Sequence, residues 1–296
     1  GGNLYDEPLL VKIAPAAYCP GLGTRFFGQY PPPKGSEVDP SLCHLGPLEG
    51  RNVAVIGYGT MGRAHAQNLR RSGIDVVVGA RAGSARGELA REEGMAVLDV
   101  PSAVKSADIV MLMLPDEAMA EVYRQAIAPH LQPKAILGFA HGFALAFDQI
   151  VPSPEHPCFL VAPKGQGDML LQAHAAGGGV PGLIGVAPSS TPETWDLAAA
   201  YALATGCLQG GGFVTTFRDE CISDQFGEQA VLCGGVIELV KAAFDIMVEA
   251  GYGRENAYFE CVHELKLITD LLHRHGVDGM RSRISGTAAY GGLTRG

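Results

Sequence analysis

The sequence predicts an α/β dinucleotide-binding domain of the Rossmann type followed by an all-helical domain. Short β-rich runs alternate with helical stretches from residue 51 to about residue 215. A glycine-rich turn lies between the first of these runs and the first helical stretch. Beyond Phe217 no β-rich run follows, and apolar residues recur at helical spacing. We therefore expect a Pro/Gly-rich N-terminal arm at 1–50, the dinucleotide-binding domain at 51–215 and the helical domain at 216–296.

Composition argues against several classes of protein. Of the 296 residues, 47% are hydrophobic and 18% are charged, which is too apolar for a disordered chain. The net charge of −9 argues against a nucleic-acid-binding surface. No apolar run approaches the roughly 20 residues of a membrane span. The seven cysteines include no CxxC pair, so we expect reduced thiols in a cytoplasmic protein, several of them in the core.

Residues 1–50 differ in composition from the rest of the chain. Proline alternates with glycine and serine there, and no hydrophobic periodicity is present. The segment lacks the basic and apolar regions of a secretory signal, and it is not an arginine- and serine-rich transit peptide. We expect an extended arm; the alternative is a functional one, either a lid or an arm that wraps around a second copy of the chain.

The first strand and the first helix enclose the motif GxGxxG. The strand is predicted at 52–56, and the helix continues through Leu69. Glycine permits the tight turn and lets backbone N–H groups approach a pyrophosphate, to which the helix N-terminus adds its partial positive charge. A plain strand–helix turn is the alternative. The residues expected to bind the dinucleotide are Gly57, Tyr58, Gly59, Thr60, Met61 and Gly62.

The second strand, predicted at 75–79, ends without the acidic residue that favours NAD. A carboxylate there would hydrogen-bond the ribose hydroxyls and repel a 2′-phosphate. The loop instead carries Arg81, Ser84 and Arg86, which are residue types that bind a phosphate dianion. We therefore predict NADPH as the cofactor. Solvated surface arginines are the alternative, since arginine is mostly exposed in proteins.

Polar residues follow three of the later strands. These strands, with one more after them, are predicted at 109–114, 135–139, 158–162 and 180–187. Asp116, His141 and Lys164 come directly after the first three. Because ligands of an open α/β sheet bind beyond the carboxyl ends of the strands, we expect these side chains near the reactive end of the cofactor. For any one of them alone, a surface role explains the residue equally well.

Four carboxylates in two pairs mark the helical region, where helices are predicted at 223–250 and 254–275. Asp224 with Glu228 and Glu260 with Glu264 are each spaced by four residues, so both members of a pair project from one helix face. The neighbouring residues are apolar, and carboxylates in an apolar helix are costly unless their charge is compensated. A hard divalent cation supplies compensation, so the acids suit one or two magnesium ions. Two solvated helix faces are the alternative.

A set of short stretches between residues 51 and 296 matches the motifs of one known family. The stretches are Gly57-Tyr58-Gly59, the loop Arg81 to Ser84, Ala140-His141-Gly142-Phe143, Ala162-Pro163-Lys164-Gly165, Gly177-Gly178-Gly179-Val180-Pro181, Thr216-Phe217-Arg218, Asp224-x-Phe226-Gly227-Glu228-Gln229, Phe259-Glu260-Cys261-x-His263-Glu264 and Ile284-Ser285. The most specific part is Gly-Glu-Gln-Ala with the downstream Glu-x-x-x-Glu. On these motifs the chain resembles the short-form (class I) ketol-acid reductoisomerases.

The resemblance implies a knotted-type helical C-terminal domain and a two-step reaction. In the family, residues matching Asp224 and Glu228 hold two Mg²⁺ ions, and residues matching Glu260 and Glu264 are supplied across a dimer interface. The metals grip a 2-acetyl-2-hydroxy acid of the acetolactate type during a base-assisted alkyl shift. NADPH then reduces the new ketone, which gives a 2,3-dihydroxy acid in branched-chain amino-acid biosynthesis.

The same resemblance assigns further roles and partners. His141, Lys164 and Glu228 match catalytic positions, Gly167 matches the loop that lines the cofactor, and Ser285 matches the residue that contacts the substrate carboxylate. The helical domain is then the metal, substrate and dimerisation domain. The implied partners are a small-molecule substrate and further copies of the chain, in a homodimer or larger homo-oligomer, with no nucleic acid and no membrane.

The loop after Lys164 departs from the family pattern. Family members read Gly-Pro-Gly-His there, with an arginine a little further on, whereas this chain reads Gly165-Gln166-Gly167-Asp168-Met169-Leu170-Leu171. Met61 and Arg86 stand where the family usually has glutamine and serine. Three hypotheses stay open: a ketol-acid reductoisomerase, a diverged relative that uses the site as a reductase or isomerase on another substrate in a specialised pathway, and a non-catalytic dinucleotide-binding protein. The four acids argue against the third, because an unused metal site leaves buried charge uncompensated.

Overall fold

The computed structural model describes residues 32–295, which fall into two compact units. The N-terminal unit ends at Ser223 and the C-terminal unit begins at Asp224. The domain boundary predicted between residues 215 and 216 lies just before the helix that runs from one unit into the other. Within 32–295, no helix is both long and apolar enough to cross a membrane.

The N-terminal unit is built on one nine-stranded sheet. The strand order across the sheet is β1-β9-β8-β7-β6-β5-β2-β3-β4. The strands are β1 (Glu37–Val38), β2 (Asn52–Ile56), β3 (Asp75–Gly79), β4 (Ala96–Leu98), β5 (Ile109–Leu112), β6 (Ile136–Phe139), β7 (Cys158–Pro163), β8 (Gly182–Val186) and β9 (Gly212–Val214).

Six neighbouring strands of this sheet are parallel and have the connectivity of a dinucleotide-binding fold. Numbered from β2 onward, β4-β3-β2-β5-β6-β7 is the order 3-2-1-4-5-6. The order reverses between β2 and β5, which is where such folds bind their ligand. The predicted Rossmann-type fold is confirmed. Beyond β7 the sheet is mixed, because β8 runs antiparallel to β7 and β1 runs antiparallel to β9.

Twelve α-helices are described within residues 32–295. Seven of them belong to the N-terminal unit: α1 (Thr60–Arg71), α2 (Ala85–Glu92), α3 (Val100–Lys105), α4 (Asp116–Val122), α5 (Phe143–Ala146), α6 (Gly167–Ala175) and α7 (Pro192–Thr205). The others are α8 (Phe217–Phe226), α9 (Gly235–Glu249), α10 (Arg254–Tyr258), α11 (Glu264–Arg281) and α12 (Gly286–Arg295).

The sheet is buried on both faces. Side chains of a strand alternate between its two sides, so Val53 and Val55 of β2 enter one hydrophobic cluster while Ala54 and Ile56 enter the other. A strand buried on both faces is apolar throughout, which is why these runs were recognisable in the sequence. Three of the six cysteines described, Cys158, Cys207 and Cys221, are buried, so these three are core residues.

Part of the predicted arm belongs to the folded N-terminal unit. β1 pairs with β9, and Val38 and Leu48 are buried in the core. Residues 1–31, where an arm or lid was expected, lie outside the described residues, so that expectation stays a prediction.

The helical region differs from its prediction at the helix ends and within the two long helices: α8 begins at Phe217, α11 continues to Arg281, and α12 was not predicted. The two long helices predicted at 223–250 and 254–275 are each interrupted by a π-helical segment, at Gly227–Leu232 and Phe259–His263. In the first, a Cβ on Gly234 would lie 1.9 Å from the carbonyl oxygen of Gln229, five residues earlier. The wide turn brings that carbonyl against a position where only glycine fits, and hydrophobic periodicity carries no sign of it.

The C-terminal unit buries almost none of its residues within one chain. Between Asp224 and Arg295 only Ala257 and Gly276 are buried. Large apolar side chains are exposed along its helices, among them Phe226, Leu232, Leu239, Ile246, Phe259 and Leu293. An exposed apolar surface of this extent is typical of a surface that another molecule covers.

Candidate functional site

The glycine turn between β2 and α1 has the geometry of a phosphate-binding turn. Gly57 has a φ of 102°, a conformation that favours glycine, and an added Cβ would lie 2.5 Å from the carbonyl oxygen of Met113. α1 begins at Thr60, directly after the turn, and no side chain caps it. Its first N–H groups therefore face the region where a pyrophosphate would lie.

The loop after β3 carries the predicted 2′-phosphate residues. β3 ends in Gly79 and is followed by Ala80, so no carboxylate lies at its end. Arg81 and Arg86 are exposed. The Ser84 hydroxyl accepts a hydrogen bond from the N–H of Gly87 at 3.2 Å and so caps α2. A hydroxyl that accepts this bond can still donate to a phosphate oxygen.

The loop after β7 lies against the glycine turn. α6 begins at Gly167, and a Cβ there would lie 2.3 Å from the carbonyl oxygen of Thr60. Only glycine fits that approach, which places the predicted cofactor residue Gly167 beside the turn. The Asp168 carboxylate, next in the chain, lies 3.5 Å from the guanidinium of Arg63 on α1.

His141 and Lys164 are brought together by a residue that the sequence analysis did not identify, Glu220 of α8. One carboxylate oxygen of Glu220 accepts from the Lys164 ammonium at 2.7 Å. The other lies 3.0 Å from His141 Nδ1 and accepts from the Gly142 N–H at 2.7 Å. The Glu220 side chain is 1% exposed, so these contacts replace its solvation. β6 and β7 are parallel neighbours, and for this reason the residues after them meet at one edge of the sheet.

The electrostatics of Glu220 favour the carboxylate form. Burial by itself raises the pKa of this group, but the hydrogen bond from His141 and the charge of Lys164 outweigh burial and hold its pKa below the ordinary value. The His141 ring also stacks on that of Phe143, with centroids 6.2 Å apart. The site thus contains a buried carboxylate with a lysine and a histidine fixed by it.

Close approach of α8 to the sheet depends on Gly142. A Cβ on Gly142 would lie 2.0 Å from the carbonyl oxygen of Phe217. Any residue other than glycine at position 142 would therefore prevent α8 from packing this closely. The Thr216 hydroxyl accepts from the N–H of Asp219 at 3.0 Å and stabilises the start of the helix. The sequence contained one sign of Glu220: with Asp224 and Glu228 it forms a series of three acids spaced by four.

The predicted metal ligands lie within the π-helical segments or close to them in the chain. Asp224 is half-buried on α8, one turn after Glu220, and the two carboxylates lie within 4.8 Å of each other on that helix. Glu228 belongs to the segment 227–232, Glu260 belongs to the segment 259–263, and Glu264 is the first residue of α11. Segments of π-helix occur frequently at functional sites.

The last three acids are exposed within one chain, which corrects the expectation that their helices bury them. The apolar residues beside them are exposed as well, so the apolar sequence does not produce burial in a single copy. Two other predicted residues are also accessible. Asp116 is half-buried in the first turn of α4, after β5. Ser285 is exposed, and its hydroxyl accepts from the N–H of Ala288 at the start of α12.

The sheet order, the glycine turn and the polar cluster beyond β6 and β7 define an oxidoreductase that uses a nicotinamide dinucleotide. Residues 47–211 match the family described as acetohydroxy acid isomeroreductase, NADPH-binding domain, and residues 217–296 match ketol-acid reductoisomerase, C-terminal domain. The chain belongs to the ketol-acid reductoisomerase family, which confirms the resemblance. Its function is that family's combination of isomerisation and reduction.

Solved structures agree with this assignment. A structure described as an NADH-preferring ketol-acid reductoisomerase from an uncultured archean matches with a TM-score of 0.84 and 39% identity, covering 88% of this chain and 80% of that one. A semialdehyde dehydrogenase NAD-binding protein from Cupriavidus necator, in complex with calcium and NAD, matches at 0.62 and 19% identity, covering 81% and 88%. A 1-pyrroline-5-carboxylate reductase from Streptococcus pyogenes matches at 0.53 and 15% identity, covering 82% and 89%. The last two show the fold alone.

Two glycine substitutions in the turn can separate an effect on folding from an effect on dinucleotide binding. A Cβ on Gly62 would lie 2.3 Å from the carbonyl oxygen of Gly57, so Gly62→Ala should displace the turn and lower the melting temperature. A Cβ on Gly59 would meet no atom within 4 Å, so Gly59→Ala should melt like the wild type. Gly59→Ala should nevertheless weaken dinucleotide binding roughly tenfold, because its Cβ would stand in the open space beside the turn and keep the pyrophosphate from a close, charge-assisted hydrogen bond. Fluorescence titration that shows wild-type affinity in Gly59→Ala would contradict a pyrophosphate at this turn.

Proposed function

We propose that this chain catalyses the magnesium-dependent alkyl migration of a 2-acetyl-2-hydroxy acid and then reduces the rearranged ketone with NADPH. The single observation that carries the proposal is the Glu220 cluster, which joins His141 and Lys164 to the acid-bearing face of α8. A plain reductase needs a dinucleotide and a proton donor. It does not need three acids spaced by four along one helix.

The donor set on α8 fits a hard cation. Asp224 follows Glu220 on one helix face, and carboxylate oxygens are the ligands that magnesium prefers. We propose that Asp224 and Glu228 hold the metal and that Glu260 and Glu264 complete the set from a second copy of the chain. Bound there, magnesium supplies Lewis-acid polarisation of the substrate carbonyl and stabilisation of an alkoxide.

The polar residues that follow β5, β6 and β7 have proposed roles of their own in the reaction. Glu220 orients the Lys164 ammonium, which is a hydrogen-bond donor for a substrate oxygen in the reduction step. His141 is held at Nδ1 by the same carboxylate, which fixes the plane of its ring. Glu228, beyond Asp224, is the proposed base of the alkyl shift. Ser285 is the proposed contact of the substrate carboxylate, and Asp116 lies after β5, at the strand ends where the cofactor is expected.

NADPH is the cofactor that the loop after β3 supports. Arg81 and Arg86 are exposed and no carboxylate follows β3, so a 2′-phosphate would meet positive charge and no repulsion. The solved relative with 39% identity is described as NADH-preferring. Under our proposal, the cofactor preference of this chain differs from that of the relative.

A second function is favoured by one observation, the loop after Lys164. Where the family has Gly-Pro-Gly-His, this chain has Gln166 and Asp168, and the Asp168 carboxylate lies 3.5 Å from Arg63. A family member that acts as a reductase or isomerase on another substrate would have such a changed lining. Incubation with 2-acetolactate, Mg²⁺ and NADPH separates the two functions: formation of the 2,3-dihydroxy acid supports the first, and no turnover of 2-acetolactate by a protein that binds NADPH supports the second.

A homodimer or larger assembly is proposed from the surface of the C-terminal unit. Its helices expose Leu239, Ile246 and Phe259 in one chain, and its acids are exposed beside them. A second copy that covers this surface would supply the missing burial and bring its own carboxylates. The partners of the chain are then its substrate, its cofactor and copies of itself.

Cofactor preference should follow the charge at residue 81. We expect NADPH to be preferred over NADH by about tenfold or more in kcat/KM, the effect of one charge-assisted contact. Arg81→Asp should reverse the preference, because it replaces attraction of the 2′-phosphate by repulsion. Arg124→Asp, an equal change of charge at an exposed residue outside the loop, should leave the ratio unchanged. Equal kcat/KM for the two cofactors in the wild type would contradict the prediction.

The oligomer prediction concerns the apolar face of α9. Light scattering at assay concentration should show at least a dimer, and Ile246→Glu should give monomers without activity, since a charge cannot be buried in an apolar interface at low cost. Leu98→Glu places the same charge on an exposed residue of β4 and should remain assembled and active. A monodisperse wild-type monomer with full activity would exclude a site shared between copies.

Asp224→Asn tests the metal site, because it keeps the size of the side chain and removes its charge. Activity should fall by about 100-fold or more, at least the loss that follows disturbance of groups around a metal. NADPH affinity should stay within a few-fold, since the dinucleotide is held by residues 57–86. Asp245→Asn, the same change at an exposed residue of α9, should be silent. Turnover by the wild type without Mg²⁺, or a near-normal rate for Asp224→Asn, would make the carboxylates structural.

A further inference from the structure

One carboxylate in the N-terminal unit collects donors from the glycine turn and from α1. Glu93, at the end of α2, accepts from the Tyr58 hydroxyl at 2.8 Å and from Gln67 Nε2 at 2.6 Å. It also accepts from Arg63, at 2.8 Å from Nε and 2.5 Å from Nη2. The Glu93 side chain is 20% exposed, so this network is largely shielded from water.

Glu93 and its side-chain partners lie in two separate segments that lead to the proposed cofactor site. Tyr58 belongs to the glycine turn itself, and Arg63 and Gln67 follow it on α1. Glu93 follows directly on α2, whose other end is the loop from Arg81 to Arg86. One carboxylate therefore links the turn that would hold the pyrophosphate to the helix that presents the ribose loop. Arg70 adds bonds to the carbonyl oxygens of residues 93 and 94, with 2.7 Å to the second.

The charge states of this network are stable at ordinary pH. The hydrogen bond from Arg63 lowers the pKa of Glu93, so Glu93 stays ionised. Burial raises the pKa of Tyr58 to about 12, so Tyr58 remains a neutral donor. The stabilisation is lost when the pH falls through the folded-state pKa of Glu93, which lies below the pKa of an ordinary glutamate.

We infer that Glu93 is a positioning residue that sets the spacing between the glycine turn and the Arg81–Arg86 loop and thereby sets dinucleotide affinity. The inference rests on the proposed function in so far as these two segments are taken to bind the cofactor. A dinucleotide has to contact both segments at once, so its binding is tighter when the protein fixes their separation beforehand. Arg63 also contacts Asp168, which extends the same control to the start of α6.

The role differs from that of Arg81 in a measurable way. Arg81 would contact one phosphate, so its loss changes the ratio of NADPH to NADH affinity. Glu93 contacts neither ligand and fixes the frame for both, so its loss should weaken NADPH and NADH by the same factor. Once cofactor is saturating, the reacting groups near His141 and Lys164 are unaffected, and kcat should hold.

The test uses the full-length protein with Glu93→Gln, which keeps the size of the side chain and removes its charge. We expect Kd and KM for both dinucleotides to rise about tenfold, the loss of a charge-assisted bond. kcat at saturating cofactor should stay within about twofold, a change much smaller than the roughly tenfold effect expected for the loss of one such bond. Glu92→Gln, the same change one residue earlier at an exposed position, is the matched control and should bind as the wild type does.

Tyr58→Phe keeps the test informative even where Glu93→Gln folds poorly. It removes one hydroxyl, and combined with Glu93→Gln it should weaken binding by less than the product of the single effects, since both act through one contact. A lowered melting temperature with unchanged Kd in Glu93→Gln, or a changed ratio of NADPH to NADH affinity, would overturn the inference. Failure of the wild type to bind either dinucleotide would instead overturn the cofactor site itself.

Discussion

The buried carboxylate of Glu220 is the constraint on which the arrangement of the site depends. Leaving such a group without a partner costs about 3–5 kcal/mol, so its position on α8 requires donors from elsewhere in the fold. They come from the ends of β6 and β7, as Lys164, His141 and the Gly142 N–H. Because the strands are parallel neighbours, these donors lie at one edge of the sheet. The rotation of the part of α8 that carries Glu220 is fixed as a result.

Elements built from local pattern could be predicted from the sequence. β2 and β3 coincide with their predicted ranges, because each begins at an exposed polar residue and continues as the apolar run expected of a strand covered on both faces. The glycine turn was also recognisable, since Gly57 and Gly62 occupy positions where backbone atoms leave no space for a Cβ. The family assignment drew on motifs of this kind, each of which is a local requirement.

Elements set by distant contacts could not be predicted in this way. Glu220 meets Lys164 and His141 across 56 and 79 residues of chain, and nothing beside it in the sequence signals those partners. The antiparallel direction of β8 leaves no mark on the strand itself, since its side chains alternate in the same way in either direction. The π-helical segments do not interrupt the hydrophobic pattern of the helices around them. For this reason the sequence predicted two continuous helices and gave no sign of either π-helical segment.

The two units of the chain obtain their stability from different sources. The N-terminal unit has its own core, so its free energy of unfolding is a property of one molecule. Among residues 224–295 of the C-terminal unit, only Ala257 and Gly276 are buried, so under our proposal the unit would gain its apolar burial from a second copy of the chain. In the homodimer that we propose, its free energy of unfolding contains a concentration term and falls by about 1.4 kcal/mol for each tenfold dilution of the protein. The cellular concentration of the protein would then help to determine whether those helices, and the acids on them, are folded.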